Sequence, residues 1–358
     1  MQRQPGDRAD VKLGIAIRWD GASLDMPLQE ILHVERLGFD SLWSAEAYGS
    51  DAITPLAYAA AVTKHLRLGT SVMQLAARPP ALAAMQLATL DALAGGDRVI
   101  CGLGVSGPQI VEGWYGQPWG RPYYRMKDYV AILRKIFRRE GPVKHEGREI
   151  SLPYTGPGSS GMGKPLKSIL HPNPRLPIWL GTGSESMVRL TAEIADGWLP
   201  FGFSPGMMDV YRPWLEAGFE RAGGGKGFDD FAIQTSCTVR ITDDVKGALR
   251  AMKPFNALYV GGMGHPKLNF HKQRMIRCGY AQAAERIQEL FLAGRREEAA
   301  EAVPDAYLDA GCLVGPPARI RERWPAWRDC GATGLILHTR QPEALELMAE
   351  LAGCQPRA

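Results

Sequence analysis

Four stretches of this 358-residue chain have residue types and spacings that could do chemistry, three rich in glycine and one carrying two histidines. The best placed is Gly181-Thr-Gly-Ser184. It separates a short apolar run, 177–180, from a helical pattern that Ser184 can cap, so free backbone N–H groups and the positive end of a helix dipole meet at one point. A phosphate fits that point; a tight turn with an ordinary cap is the alternative. Gly102-Leu-Gly-Val-Ser-Gly107 has the literal G-x-G-x-x-G spacing and also follows an apolar run. A dinucleotide fold would next need a strand ending in an acid about 20 positions on. Here Glu112-Gly-Trp-Tyr-Gly-Gln-Pro-Trp-Gly120 is a loop instead. These glycines are therefore read as letting backbone N–H groups approach an anion or a flat ring.

The other two stretches carry weaker chemistry. Gly158-Ser-Ser-Gly-Met-Gly-Lys164-Pro165 begins like a P-loop, but Pro165 stands where the magnesium-holding Ser or Thr belongs, and no apolar strand precedes it. It reads as flexible insertion. His265 and His271 have Lys267, Lys272 and Arg274 nearby, in a spacing that matches no compact metal motif. No metal is expected, and the segment is read as a polar substrate lid or a solvated loop.

The elements that must position these residues alternate between short apolar runs and amphipathic helical patterns. Strand Lys12–Ile17 precedes a helix within Leu24–Leu37, whose apolar residues Leu28, Ile31, Leu32, Val34 and Leu37 share one face and which Gly38 ends. The same grammar gives strand Ser41–Glu46, helix Thr54–Lys64, strand Arg67–Met73, helix Pro80–Ala94, strand Arg98–Val105 and helix Pro122–Arg138. After Gly141–Leu176, rich in Pro, Gly and Ser, come strand Pro177–Thr182, helix Ser184–Ala195, strand Gly197–Phe201, helix Pro205–Ala222, strand Phe231–Ile241 and helix Asp243–Met252. A second irregular stretch, Lys253–Val314, with helical patterns around Ala283–Gly294 and Glu297–Val303, leads to helix Pro316–Gly331 and strand Gly334–His338. Strands apolar on both faces and joined by helices must be parallel and covered on both sides. Eight of them predict a closed (β/α)8 TIM barrel, one domain spanning 1–358, with insertions at about 141–176 and 253–314 that shape the mouth where barrel active sites gather.

Composition is ordinary for a globular protein, 45% hydrophobic and 22% charged, with 42 basic against 38 acidic residues and no long run of one sign. Nucleic acid is not expected as a partner. The six cysteines show no C-x-x-C pairing and read as buried reduced thiols. The polar start Met1–Asp10 has no signal pattern, and no apolar stretch of about 18 residues occurs, so the expectation is a cytoplasmic protein without membrane contact.

Several segments together resemble the luciferase-like monooxygenase superfamily, and within it the actinobacterial branch that uses the deazaflavin coenzyme F420. They are Trp43-Ser-Ala-Glu-Ala-Tyr-Gly-Ser-Asp51, Leu68-Gly-Thr-Ser-Val-Met73, Gly102 to Gln109 with Glu112-Gly-Trp-Tyr-Gly116, and Ala192-Glu-Ile-Ala-Asp-Gly-Trp-Leu199. The insertions share in it through Gly163-Lys-Pro-Leu-Lys-Ser168, Leu258-Tyr-Val-Gly-Gly-Met-Gly264 and Cys278-Gly-Tyr280. The resemblance implies a barrel with the deazaflavin ring across the strand ends. It places Thr70, Ser71 and Val72 against the ring, with Ser71–Val72 as a candidate non-prolyl cis bond; Ser106, Gly107 and Gln109 near the ring or ribityl chain; and Gly181, Thr182, Gly183 and Ser184 at the phosphate.

Glu46 and Tyr48 then become the candidates for proton transfer, with His265 as an outsider, although Glu46 is equally well read as a structural carboxylate paired with Arg78. Trp43, Trp114, Trp119 and Phe201 are candidate pocket walls beside a lid carrying His265 and Lys267. Two departures bear on mechanism. Better-known relatives carry a histidine where this chain has Ala47, and the related sugar-phosphate dehydrogenases have a glutamate near the position of Ser106. A sugar phosphate is thereby disfavoured. The implied activity is hydride transfer between F420 and a small-molecule or natural-product substrate with an activated C=C, C=N or carbonyl/alcohol group. The rivals are an FMN-dependent monooxygenase fed by a partner reductase and a non-catalytic F420-binding protein. A homodimer is expected, with the nearly all-apolar helix Pro80–Ala94 as a possible contact.

Overall fold

The computed structural model describes residues 11–17, 22–265 and 268–357. Eight strands close into a parallel barrel: β1 Lys12–Ala16, β2 Ser41–Ser44, β3 Arg67–Thr70, β4 Val99–Gly104, β5 Ile178–Gly181, β6 Gly197–Trp198, β7 Ala232–Ile241 and β8 Gly334–His338. Each pairs with its neighbours in chain order, β7 pairs with β6, and β8 returns to β1, so no strand edge is left open. Past Thr70 the chain crosses a cis Ser71–Val72 bond and pairs again with β4 through Met73 and Gln74.

The helices α1 Leu28–Arg36, α2 Thr54–Ala60, α3 Pro80–Leu93, α4 Pro122–Arg138, α5 Glu185–Ile194 and α6 Met208–Ala222 follow the strands and cover the barrel. In α4, Met126, Tyr129, Val130, Leu133 and Phe137 recur at helical spacing and are buried, while Lys127 and Arg138 lie outside. The outward strand residues Leu13, Ile15, Leu42, Leu68, Cys101 and Leu103 share that core.

The barrel interior is a separate, smaller core. Trp43 and Trp179 lie 5.4 Å apart between ring centroids and pack with Ile100, Leu199 and Ile336. Their size dictates glycine at neighbouring inward positions. A Cβ on Gly69 would come within 2.3 Å of the Trp43 ring, and one on Gly197 within 2.8 Å of the Trp179 ring.

The second irregular stretch is mostly helical. After β7 come α7 Val245–Gly261, α8 Phe270–Arg277, α9 Ala281–Leu292, α10 Arg296–Glu301 and α11 Asp305–Ala310, then a strand Cys312–Gly315 that pairs with the far end of β7. Their buried residues, among them Leu249, Ala257, Met275, Ile287, Leu290, Val303 and Leu308, form a core of their own. Sequence reading ends a helix at Met252, before Pro254; α7 instead runs through Pro254. The lost N–H bond is offset by packing of α7 against α9, α10 and α11. Helices α12 Pro317–Arg328 and α13 Pro342–Leu351 complete the outer layer.

Candidate active site

The loops after β2, β3, β4, β5 and β6 converge at the C-terminal mouth of the barrel. Behind β2, the Glu46 carboxylate is almost wholly enclosed, with 2% of its side chain exposed. Its Oε1 accepts from Gln74 N at 2.8 Å and Arg78 Nη1 at 3.0 Å, and its Oε2 from Arg78 Nη2 at 2.7 Å and Ala52 N at 3.2 Å. Gln74 Nε2 in turn donates to the Glu46 carbonyl at 2.9 Å. Four donors, two of them from one guanidinium, fix a carboxylate that ties the β2 loop to the β3 loop. Of the two sequence readings of Glu46, these contacts match the structural carboxylate paired with Arg78.

Tyr48, two residues on, is exposed to 57% and free of such ties. Tyr115 donates to the Ala47 carbonyl at 3.2 Å, and its phenol is pushed up by burial and by the charge of Glu46. Tyr259, reaching in from α7, is raised by burial and then by proximity to Tyr48, which brings the insertion and the β2 loop together.

Val72, just beyond the cis bond, fills space that neighbouring glycines leave. A Cβ on Gly104 would lie 2.5 Å from Val72 Cγ2, and one on Gly181 would lie 2.8 Å from its Cγ1. Val72 thus sits at the ends of β4 and β5 and packs on the inner core. Thr70 is fully buried, and its hydroxyl is consumed within the barrel, donating to Gly102 O at 2.7 Å and accepting from Gly102 N at 2.9 Å. Its hydroxyl serves the scaffold, a correction to its place among the cofactor contacts. Ser71 lies partly exposed at the same turn.

In the loop after β4, Ser106 has a left-handed backbone, φ 59°, that turns the chain into the helical turn Pro108–Val111. Gly107 leaves room for the Gln109 side chain, whose Nε2 donates to the Met263 carbonyl of the insertion. In the loop after β5, Thr182 turns inward, with its hydroxyl 2.8 Å from that of Thr191 and its carbonyl accepting from Trp198 Nε1 at 2.9 Å. Ser184 caps α5 without a side-chain bond to the helix, and beyond the adjoining residues no atom lies within 4 Å of where a Gly183 Cβ would stand. The amide end of α5 is thus open to an anion. Arg277 of α8 reaches this loop, Nη2 to Gly183 O at 3.2 Å, and its buried Nε has no partner.

Phe201, after β6, is exposed to 57% and meets the insertion. Its ring lies 5.9 Å from Tyr259, nearly parallel, and 4.6 Å from the His271 imidazole, edge on. Burial, then the nearby Arg274 charge, lowers the His271 pKa to about 4. The remaining expectations separate. Trp43 lies 1% exposed inside the barrel, so it is core and not pocket wall; Trp114 is 62% exposed on the loop after β4. His265 bridges Leu268 at the end of the insertion loop, and Lys267 lies outside the described residues. Gln74, Tyr115, Tyr259 and Arg277 join the mouth without having been expected there; Tyr259 stood only within the segment Leu258–Gly264 that carries the family resemblance.

Among the described residues no group of three or more His, Cys, Asp or Glu is placed to hold a metal, and no helix is long and apolar enough to cross a membrane.

The sequence pattern of the luciferase-like monooxygenase family matches residues 14–334. The "Putative coenzyme F420-dependent oxidoreductase" of Mycobacterium tuberculosis is 44% identical over 345 residues, covering 96% of this chain and 99% of that protein. Among solved structures, the coenzyme F420-dependent tetrahydromethanopterin reductase from Methanopyrus kandleri superposes with a TM-score of 0.74 at 23% identity, over 96% of this chain and 98% of that one. An F420-dependent secondary alcohol dehydrogenase in complex with an F420-acetone adduct superposes with a TM-score of 0.73 at 16% identity and the same coverage. At these identities the two structures speak for the barrel.

Proposed function

The chain belongs to the luciferase-like monooxygenase family, and we infer that it works there as a coenzyme F420-dependent oxidoreductase acting on an organic substrate with an activated C=C, C=N or carbonyl/alcohol group. The observation that carries the reading is a floor set beside an anion cradle. Val72 presses into the gap left by Gly104 and Gly181, and the open amide end at Gly183–Ser184 lies directly beyond.

Those residues fit F420. Val72 would support the ring, the N–H groups at Gly183 and Ser184 would hold the phosphate, and the Arg277 guanidinium would add positive charge there. Bound in that place, F420 supplies a two-electron hydride carrier. Tyr48 Oη is the group left to give or take the proton at the substrate heteroatom, since Glu46 is held by four donors. Glu46 and Arg78 keep the Tyr48 loop in register, and Gln109 with Met263 draws the insertion over the mouth.

The same reading takes the chain as one barrel domain with insertions at about 141–176 and 253–314, acting in the cytoplasm as a homodimer. Adjacent helices α2 and α3 and the turn after α2 expose Tyr58, Val62, Leu82, Met85 and Leu93, apolar surface that a second copy would cover. Light scattering of the full chain checks the dimer. The function is tested by following F420H2 oxidation with enones, imines and ketones: Tyr48→Phe should lose turnover while still binding F420, and turnover unaffected by that change would contradict the assignment of the proton.

A further inference from the structure

The insertion brings an aromatic cluster to the mouth that the cofactor reading does not use. Tyr259 and Phe255 are one helical turn apart on α7, with ring centroids 4.3 Å apart. Tyr259 also meets His271 edge on at 4.7 Å, so Phe201 of the barrel, Tyr259 and Phe255 of α7 and His271 of α8 form one connected group. Two of its rings remain largely open to solvent, Phe201 at 57% and Phe255 at 56%. Half-exposed aromatic faces gathered beside a catalytic mouth are what a ring-bearing ligand covers.

The polar part of the cluster is neutral. His271 is held uncharged at neutral pH, and its buried Nδ1 has no hydrogen-bond partner. The three cations farther along the same helix are turned to other work. Lys272 Nζ donates to Glu285 Oε2 at 2.6 Å and to Gln288 Oε1 at 2.7 Å, Arg274 Nη1 donates to Tyr307 Oη at 2.6 Å beneath Gly202, and Arg277 donates to the Gly183 carbonyl. Helix α8 therefore runs from an uncharged aromatic end over Phe201 to a cationic end over the loop after β5.

We propose that the substrate carries an uncharged planar ring, seated on the face made by Phe201, Tyr259 and Phe255, with Tyr259 and Phe201 setting specificity from opposite sides of the seam between barrel and insertion. This rests on the F420 reading only for the chemistry done to that ring; the face itself is built without the cofactor. Removing one of the aromatic faces costs a ring ligand roughly tenfold in affinity, while a carboxylate must shed its hydration to enter beside a cation, Arg274, that is already tied to Tyr307.

The test measures binding by calorimetry with three probes on the full protein, with and without F420. They are coumarin, the anion coumarin-3-carboxylate, and the open-chain enone 3-nonen-2-one. Coumarin should bind at least about tenfold tighter than either other compound, and Tyr259→Leu and Phe201→Leu should each weaken it by a similar factor with F420 affinity unchanged. Equal affinity for the three, no measurable coumarin binding, or variants that keep both coumarin and F420 would overturn the proposal. The two readings fail separately: wild-type protein that binds coumarin as described but not F420 overturns the cofactor and upholds the ring face. If a variant loses F420 as well, the wild-type ranking of the three probes decides.

Discussion

Replacing Glu46 by Gln separates two accounts of that residue by opposite outcomes. In the structure its carboxylate takes four hydrogen bonds, two of them from Arg78, and the two side chains are exposed to only 2% and 9%. Glutamine keeps the shape but turns an amide N–H₂ toward donors and strips the guanidinium of its counter-charge. Breaking one side of a buried ion pair costs about 3–5 kcal/mol, and each bond to a charged group lost within it accounts for about 1.5–3 of that. The melting temperature should fall by about 4–7 °C, read by calorimetry or circular dichroism. Arg78→Met should do comparable damage by stranding the carboxylate. Below the melting range, single-turnover oxidation of F420H2 should stay within about tenfold of wild type, because a lost general acid costs about 10²–10⁴-fold and Glu46 is not that acid. A Glu46→Gln protein that melts normally and loses a hundredfold or more in rate, on the order of a true acid, would refute the reasoning.

Three further outcomes follow from the packing and charges. Gly183→Asp puts a carboxylate at the open N-terminus of α5, where the helix dipole tolerates it; F420 affinity should drop at least about tenfold by fluorescence titration, while thermal stability and binding of the phosphate-free deazaflavin core hold steady. Gly69→Ala places a methyl within 2.3 Å of the Trp43 ring and should destabilise the barrel by about 1–3 kcal/mol or more, seen in chemical denaturation, with relief when Trp43→Leu is added. His271 has its pKa lowered by burial to about 4 from an ordinary 6.5. The unfolded chain therefore binds its proton first as pH falls, so stability should decline from pH 6.5 down to about 4 and level off below. Denaturation of His271→Phe across that window should show a shallower decline, and an unchanged slope would place the effect elsewhere.

Much of the scaffold is written locally. The strand at Gly334–His338 is found with the boundaries read from sequence, and β7 begins within one residue of its expected start, because runs apolar on both faces announce a parallel barrel. The loop Gly181–Ser184 is local too, since it needs only the strand before it and the helix after it. What the sequence withheld is mostly long range. Gln74 and Ala52 join Arg78 around Glu46 from separate loops, and Arg277 reaches Gly183 across 94 positions. No periodicity separates a proton donor from a paired anchor at Glu46. Trp43 likewise reads as a pocket aromatic until Gly69 and Gly14 are seen to make room for it inside the barrel. The insertion misled for another reason: Pro254 signals a helix end, yet packing within the insertion core carries α7 onward and so delivers Tyr259 to the mouth. Strand Cys312–Gly315 was absorbed into that same stretch, its four buried residues too few to stand out.

The central claim is that the mouth is built for F420, and titrating the apoprotein with F420 and with FMN, each oxidised and reduced, tests it most directly. The account predicts saturable F420 binding that weakens in Gly183→Asp, with either form of FMN bound far more weakly. Tighter binding of reduced FMN than of F420, followed by uptake of oxygen, would contradict it and return the chain to the monooxygenases of its family.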